Sequence, residues 1–310
     1  MLLARTLAPD ERATASDAAF GCTAVTREKG PLLILGATGR LGRLMRSVWP
    51  QDTPTLWQSR MPQDGYVACD ILEDANGLAH LMEGARAVVC LAGVTDKHAR
   101  DTGASLRDNS RLAQATVRAA ARGGVPRVFL ASSAAVYGRA QSPLTEETIG
   151  TDPSPYGQAK HEMEQAACAL GDAQGVEVCN LRIGNVAGAD AILGDWHPGF
   201  MLDTFADGAT PRRSYIGPVS LAKVIVALSS AKNSESCLNV AAPGAIAMGD
   251  LLDAAGLNWV PRIAPEHAID CVMLETSKLD RYLNLPRDAA TASRLVAEWK
   301  RTIEQETAAQ

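Results

Sequence analysis

The sequence predicts an α/β fold, a doubly wound parallel sheet with a smaller C-terminal lobe. Three observations predict it. Leu32-Leu-Ile-Leu35 is a run of four aliphatic residues, the pattern of a strand buried on both faces. It leads into Gly36-Ala-Thr-Gly-Arg-Leu-Gly42, a glycine-rich turn from strand to helix. Apolar runs and helical periodicity then alternate as far as Leu181, the rhythm of parallel strands joined by crossover helices.

The elements follow in order. Leu41 to Val48 is helix-like and Trp49-Pro50 ends it. Thr55–Arg60 reads as the second strand and Tyr66–Asp70 as the third, followed by a helix through Leu78 and Leu81. Ala87-Val-Val-Cys-Leu91 is the fourth strand and closes on Ala92-Gly93. Leu106 to Ala121 has helical periodicity, stopped by Gly123-Gly124, and Val128–Ala131 is the fifth strand. A helix follows Pro155, and Val176–Leu181 is the sixth strand. Residues 189–217 are loop-rich. A helix near Leu221–Ser229 and a strand at Leu238–Ala241 return to the main domain, while 248–256 and 289–305 read as helices of the lobe.

The expected division is an N-terminal extension over 1–30, loosely packed, a dinucleotide-binding Rossmann domain over 31–190, and a mainly substrate-binding lobe over 191–310. Residues 1–30 lack the charge pattern and apolar core of a targeting segment. Of 310 residues, 46% are hydrophobic and 21% charged, enough for a sizeable core. A net charge of −5 gives no basic footprint for nucleic acid or an anionic membrane. No apolar run is long enough to span a bilayer. The seven cysteines show no Cys-x-x-Cys spacing, and several fall in strand-like runs, which suggests reduced thiols in a cytoplasmic protein. The five histidines and the carboxylates show no metal-ligand spacing. His197 reads as a solvated residue of the lobe's loop.

Gly36, Gly39 and Gly42 carry the first functional signal. The first allows the tight turn, the second lets the backbone approach a pyrophosphate, and the third lets the helix pack against the sheet. The helix beginning near Arg40 directs its N–H groups and positive dipole end at the phosphates. Ser132-Ser133 follows the fifth strand, and Tyr156 and Lys160 open the next helix at i and i+4, on one face. An ammonium beside Tyr156 favours the phenolate and makes the tyrosine a general acid/base near neutrality. Ser133 is placed to hydrogen-bond the reacting oxygen.

These stretches resemble the extended short-chain dehydrogenases/reductases of the NAD-dependent epimerase/dehydratase family, nucleotide-sugar 4-epimerases included. The resemblance rests on Gly36–Gly42, Cys69-Asp70, Leu91-Ala-Gly93, Ser132-Ser-Ala-Ala-Val-Tyr-Gly138, Ser154-Pro-Tyr-Gly-Gln-Ala-Lys160, Leu181-Arg-Ile-Gly-Asn-Val-Ala-Gly188 and Thr276–Asn284. It implies a catalytic Ser133, Tyr156 and Lys160, with Lys160 also on the nicotinamide ribose. It further implies Asp70 beside the adenine, Ala92-Gly93 along the cofactor, and Thr38, Arg40, Leu41, Ile71, Leu91 and Ala131 among the cofactor's neighbours. NAD-using relatives carry an acid 24 residues after Gly36, where this chain has Arg60. An arginine there pairs with a 2′-phosphate, and Ser59 can add a hydroxyl, so NADP is the expected cofactor and NAD the alternative.

On the substrate side the resemblance implies Asn185 and Arg213. Two features depart from it: Ser220 replaces an acid, and Pro265-Glu-His-Ala-Ile-Asp270 lacks a second basic residue. The expected partner is a small molecule, with a homodimer left open, and neither nucleic acid nor membrane. The expected activity is hydride transfer between a nicotinamide cofactor and a sugar-like alcohol or carbonyl, nucleotide-sugars included. The alternatives are an NADP-dependent reductase of a small carbonyl compound and a non-catalytic NADP-binding redox sensor.

Overall fold

The computed structural model describes residues 30–232 and 235–308. The reading of residues 1–30 as an extension thus lies, Gly30 apart, outside the described residues. A seven-stranded sheet forms the centre. Its strands are β1 (Leu32–Leu35), β2 (Thr55–Ser59), β3 (Val67–Ala68), β4 (Ala87–Cys90), β5 (Arg127–Ser133), β6 (Glu177–Ile183) and β11 (Cys237–Val240). They lie side by side in the order β11-β6-β5-β4-β1-β2-β3, and every neighbouring pair is parallel.

Both faces are covered because successive side chains of a strand point to opposite sides. Leu33, Leu35, Val88, Val128 and Leu130 pack on one face with Leu78, Val117 and Met163. Those three belong to helices α2 (Ala75–Met82), α4 (Asp108–Gly123) and α5 (Pro155–Gln174). Leu32, Ile34, Val89 and Phe129 pack on the other face with Met45 of α1 (Arg40–Ser47) and Leu221 and Val224 of α6 (Pro218–Ser230). The four aliphatics of β1 are each 0% exposed, as a strand buried on both sides requires.

The chain turns from β1 to β2 on one side, and β4 lies on the other. The carboxyl ends of β1 and β4 therefore frame a topological switch point, where open α/β sheets leave a crevice. Over this end lies a third apolar cluster, with Ile192, Leu193, Tyr215, Leu251, Leu295 and Val296. It draws on α7 (Met248–Ala255) and α9 (Ala292–Ala308).

Four elements differ from the sequence reading. β5 runs on through Ser132 and Ser133, which pair in register with Arg182 and Ile183 of β6 rather than following the strand. β3 keeps only two residues, at the sheet's edge. A short helix, α3 (Asp96–Thr102), escaped detection because none of its residues is buried, so it leaves no apolar period. Residues 189–217 contain the short strands β8 (Met201–Thr204), β9 (Arg212–Arg213) and β10 (Tyr215–Ile216). Their partners β7 (Asn185–Val186), β12 (Ile246–Ala247), β13 (Val260–Ile263) and β14 (Cys271–Val272) are mostly distant in sequence. A last short helix, α8 (Ser277–Asp280), precedes α9. Among the described residues no helix is long and apolar enough to cross a membrane.

Candidate active site

Gly36 leaves β1 at φ +73°, and a Cβ there would lie 2.5 Å from the Ala92 nitrogen. Both the left-handed conformation and the close approach of the β4 turn require glycine. At Gly42 a Cβ would lie 2.5 Å from the Ala37 carbonyl oxygen, so the helix presses on the turn. Gly39 is the N-cap of α1 and brings no side chain over the helix end. Gln58, buried in β2, fixes the turn: its Oε1 accepts the Gly36 N–H at 2.8 Å and its Nε2 donates to the Cys69 carbonyl at 2.6 Å.

A cavity of about 750 Å³ opens above this turn. Of the candidates named from the sequence, Gly36, Gly39, Arg40, Leu41, Gly42, Leu91, Gly93, Ala131, Ser133, Tyr156, Lys160 and Asn185 lie in its walls. These residues suit a dinucleotide: the crevice lies at the switch point, glycine backbone forms one wall, and an uncapped helix start faces the opening. Thr38, Ala92, Arg60, Asp70, Ile71 and Arg213 lie outside those walls.

Ser133 and Tyr156 both line the cavity, with Ser133 near enough to act on the Tyr156 hydroxyl. Ser133 Oγ also accepts the Ala135 N–H at 3.2 Å. Ser154 caps α5 by accepting the Gly157 N–H at 3.1 Å, and Pro155 opens its first turn, which sets Tyr156 at the helix start. Lys160, one turn on, donates from Nζ to the Ala131 carbonyl at 2.8 Å, and Nζ lies 5.9 Å from the Tyr156 ring centroid.

The electrostatics differ from the sequence reading in one respect. Burial, with a smaller contribution from Asp96, pushes Tyr156 above its ordinary pKa, and Ser133 opposes the rise. Burial also pushes Lys160 down to about 8, against the fields of Cys90 and Glu164. The ammonium is desolvated and engaged by a carbonyl, so the expected lowering of the tyrosine by the lysine is not the dominant effect.

Outside the cavity walls, Arg60 follows the carboxyl end of β2 with its side chain 80% exposed, Nε 3.8 Å from Asp70 Oδ2. Asp70 is held by the N–H groups of Leu72 and Glu73, at 2.9 and 3.2 Å. Ser59 is buried and donates its hydroxyl to the Met61 carbonyl at 2.6 Å. Arg213 is half-buried on β9 and donates to the carbonyls of Ile269 (2.9 Å) and Asp270 (3.3 Å).

Several wall residues went unnoticed in the sequence. Thr95, Lys97, His98 and Asp101 reach the cavity from α3 and the turn before it, and Asp190 and Asp195 reach it from the lobe. Arg40 ion-pairs with Asp195 at 2.6 Å and joins the glycine turn to the lobe. Asn109 clamps the strand-end turn, accepting the Val94 N–H at 3.1 Å and donating to the Val94 carbonyl at 2.9 Å. Its only sequence signal is a polar residue on the buried face of α4. Among the described residues no cluster of His, Cys, Asp and Glu could hold a metal ion.

The fold is shared with solved sugar-nucleotide enzymes. UDP-glucose-4-epimerase from Stenotrophomonas maltophila, with bound NAD and formylated UDP-arabinopyranose, superposes with a TM-score of 0.73 at 18% identity, covering 90% of this chain and 99% of that one. A dTDP-glucose 4,6-dehydratase from Streptomyces venezuelae, with NAD and TYD bound, gives 0.69 at 20% identity over 87% and 97%. Among curated proteins, UDP-glucose 4-epimerase of Azospirillum brasilense is 38% identical over 85 residues, 27% of this chain, so the chain matches only about a quarter (24%) of that relative's length. Residues 32–207 match the NAD dependent epimerase/dehydratase family, a span that begins with β1 and takes in the glycine turn, Ser133, Tyr156, Lys160 and Asn185. More than half of the chain carries that pattern on the matching fold, and the chain belongs to this family of NAD-dependent enzymes.

Proposed function

We propose that the protein is an NAD(P)-dependent oxidoreductase of the epimerase/dehydratase type acting on a sugar-like alcohol or carbonyl, nucleotide-sugars included. The observation that carries the reading is the convergence of Ser133, Tyr156 and Lys160 on the wall that faces the glycine turn. Bound along that turn, a nicotinamide dinucleotide supplies two-electron oxidation or reduction of a substrate carbon. Tyr156 gives or takes the proton at the substrate oxygen, and Ser133 hydrogen-bonds the same oxygen as its charge changes. Lys160 holds the nicotinamide ribose. Gly36, Thr38, Gly39, Arg40, Leu41 and Gly42 receive the pyrophosphate, Leu91, Ala92, Gly93 and Ala131 flank the cofactor, and Asp70 and Ile71 border the adenine. Arg60 takes the 2′-phosphate, which makes NADP the preferred form. Asn185 meets the substrate. Solved structures of the same fold hold UDP-linked ligands, formylated UDP-arabinopyranose and UDP-glucuronic acid among them, which supports a nucleotide-sugar.

A second reading, reduction of a smaller carbonyl compound, is favoured by Arg213, whose guanidinium is taken up by the carbonyls of Arg212, Ile269 and Asp270 instead of lining the cavity.

The test is Tyr156→Phe. Dinucleotide binding, read by nicotinamide fluorescence, should stay near wild type, while turnover of an accepted sugar or aldehyde falls by about 10²–10⁴-fold. Turnover at the wild-type rate would overturn the assignment.

A further inference from the structure

Glu164 is a buried carboxylate to which the proposed function gives no part. It follows Lys160 by one turn of α5, so the two side chains share a face, and its own is 6% exposed. Ser132 donates its hydroxyl to Glu164 Oε1. Arg182 of β6 donates from Nη2 to Oε2 at 2.8 Å and from Nε to both oxygens at 3.1 and 3.2 Å. The chain continues from Arg182 Nη1 to the Tyr137 hydroxyl at 3.2 Å, and Tyr137 donates to Asn239 of β11 at 2.6 Å. The network thus ties three strands to α5 directly behind Ser133.

Stability alone is a poor reason for such a pair, because a buried ion pair often contributes no more than apolar residues of the same volume. Its position beside Lys160 offers another. Lys160 faces the Tyr156 ring on its own helix, Cys90 on β4 and the Ala131 carbonyl on β5, and it flanks Gly93 together with Asn109 of α4. Burial keeps the Cys90 thiol protonated, and Glu164 is the carboxylate whose field favours the ammonium.

We propose that Glu164 is a positioning residue. Clamped between Ser132 and Arg182, its carboxylate keeps Lys160 charged and aimed at the cleft, and so sets the pH range over which the dinucleotide binds. The proposal rests on Lys160 as the ribose-holding residue.

The experiment follows the dissociation constant of the reduced dinucleotide phosphate by fluorescence between about pH 7 and 9.5. Wild-type binding should weaken as pH rises through about 8, where Lys160 loses its proton. Glu164→Gln, which keeps the shape and removes the charge, should move that midpoint down by about one pH unit, with affinity at the acid end unchanged. Ser132→Ala, which leaves the charge, should not move it. If Glu164→Gln is too unstable to measure, Glu164→Gln with Arg182→Met removes the pair together and should still move the midpoint down, by less, because the opposing charge of the guanidinium goes with it. An unmoved midpoint with a lowered melting temperature would mean a structural role only and overturn the proposal. Lys160→Met tests the underlying reading separately: if it binds as wild type does at every pH, Lys160 does not hold the ribose.

Discussion

Ser220 donates its hydroxyl to Glu298 Oε1 at 2.7 Å and its backbone N–H to Oε2 at 2.8 Å. Glu298 belongs to α9, so a carboxylate from the C-terminal helix caps the first turn of α6 and meets its positive dipole end. Ser220 marks a departure from the family pattern, since an acid is expected there; here the nearby acid comes from the other end of the chain. Glu298→Ala leaves Ser220 and the helix end without their partner inside a buried contact. The expected cost is about 1–3 kcal/mol, read as a lowered midpoint in urea with an unchanged slope. An unchanged midpoint would show that the cap contributes nothing.

Gln58 has a similar role under the glycine turn. Gln58→Leu is nearly isosteric but leaves the Gly36 N–H and the Cys69 carbonyl without the partners they have now. Each buried orphan costs about 1–3 kcal/mol. Both stability and dinucleotide affinity should fall, because the turn that approaches the phosphates loses its brace. Loss of stability with affinity intact would confine Gln58 to the sheet.

These two contacts show what the sequence could and could not disclose. The glycine turn, Tyr156 and Lys160 were legible because their meaning lies in local spacing, a strand end and one helical turn. Gln58, Asn109, Asp195 and Glu298 were not, because each acts on a backbone group or charge far away in the chain. α3 was hidden for a different reason: held by its Thr95 cap and two i,i+4 ion pairs, it buries nothing and so prints no period. Ser59 reads as a donor for the cofactor from its position alone, and only the structure shows its hydroxyl donating to the Met61 carbonyl.

Arg60 follows the carboxyl end of β2, largely exposed, with Asp70 3.8 Å away. Arg60→Asp should reverse the order of affinity for NADP and NAD, since it replaces attraction for a 2′-phosphate by repulsion. Fluorescence titrations with both reduced cofactors read the result. An order unchanged by the substitution would take Arg60 out of cofactor choice.

The buried Lys160 also leaves a mark on stability. Its folded pKa of about 8 lies below its ordinary value of 10.5, so between the two the unfolded chain binds more protons. Stability from this group therefore rises with pH between about 8 and 10.5 and is lost as pH falls back across that interval to about 8. Buried thiols and Tyr156, all pushed upward, act in the opposite direction above about pH 9. The clean window is about pH 7 to 9, comparing melting temperatures of the wild type and Lys160→Met without cofactor. The wild type should gain on the variant across that window. Parallel curves would mean that Lys160 titrates normally.

Arg213 poses the sharpest question about the substrate. The family resemblance implies an anion contact, yet its guanidinium donates to the carbonyls of Ile269 and Asp270 and ties β9 to the segment before β14. Burial pushes its pKa down, the mark of a cation with little solvent, and the fields of Tyr215, Cys271 and Asp270 offset this only in part. If those contacts are its purpose, Arg213→Ala should lower the melting temperature and leave the KM for a nucleotide-sugar within about twofold of wild type. If the guanidinium instead swings to a diphosphate, the same change should raise KM by about tenfold to a hundredfold, as loss of a charge-assisted contact does, with dinucleotide affinity unaffected. Arg212, exposed and donating to the Ala245 carbonyl at 3.3 Å, is the control at the adjacent position. The geometry favours the first outcome, since both carbonyls are already within hydrogen-bond reach. A tenfold rise in KM for Arg213→Ala but not Arg212→Ala, with no change in melting temperature, would reverse that conclusion and commit the site to an anionic substrate.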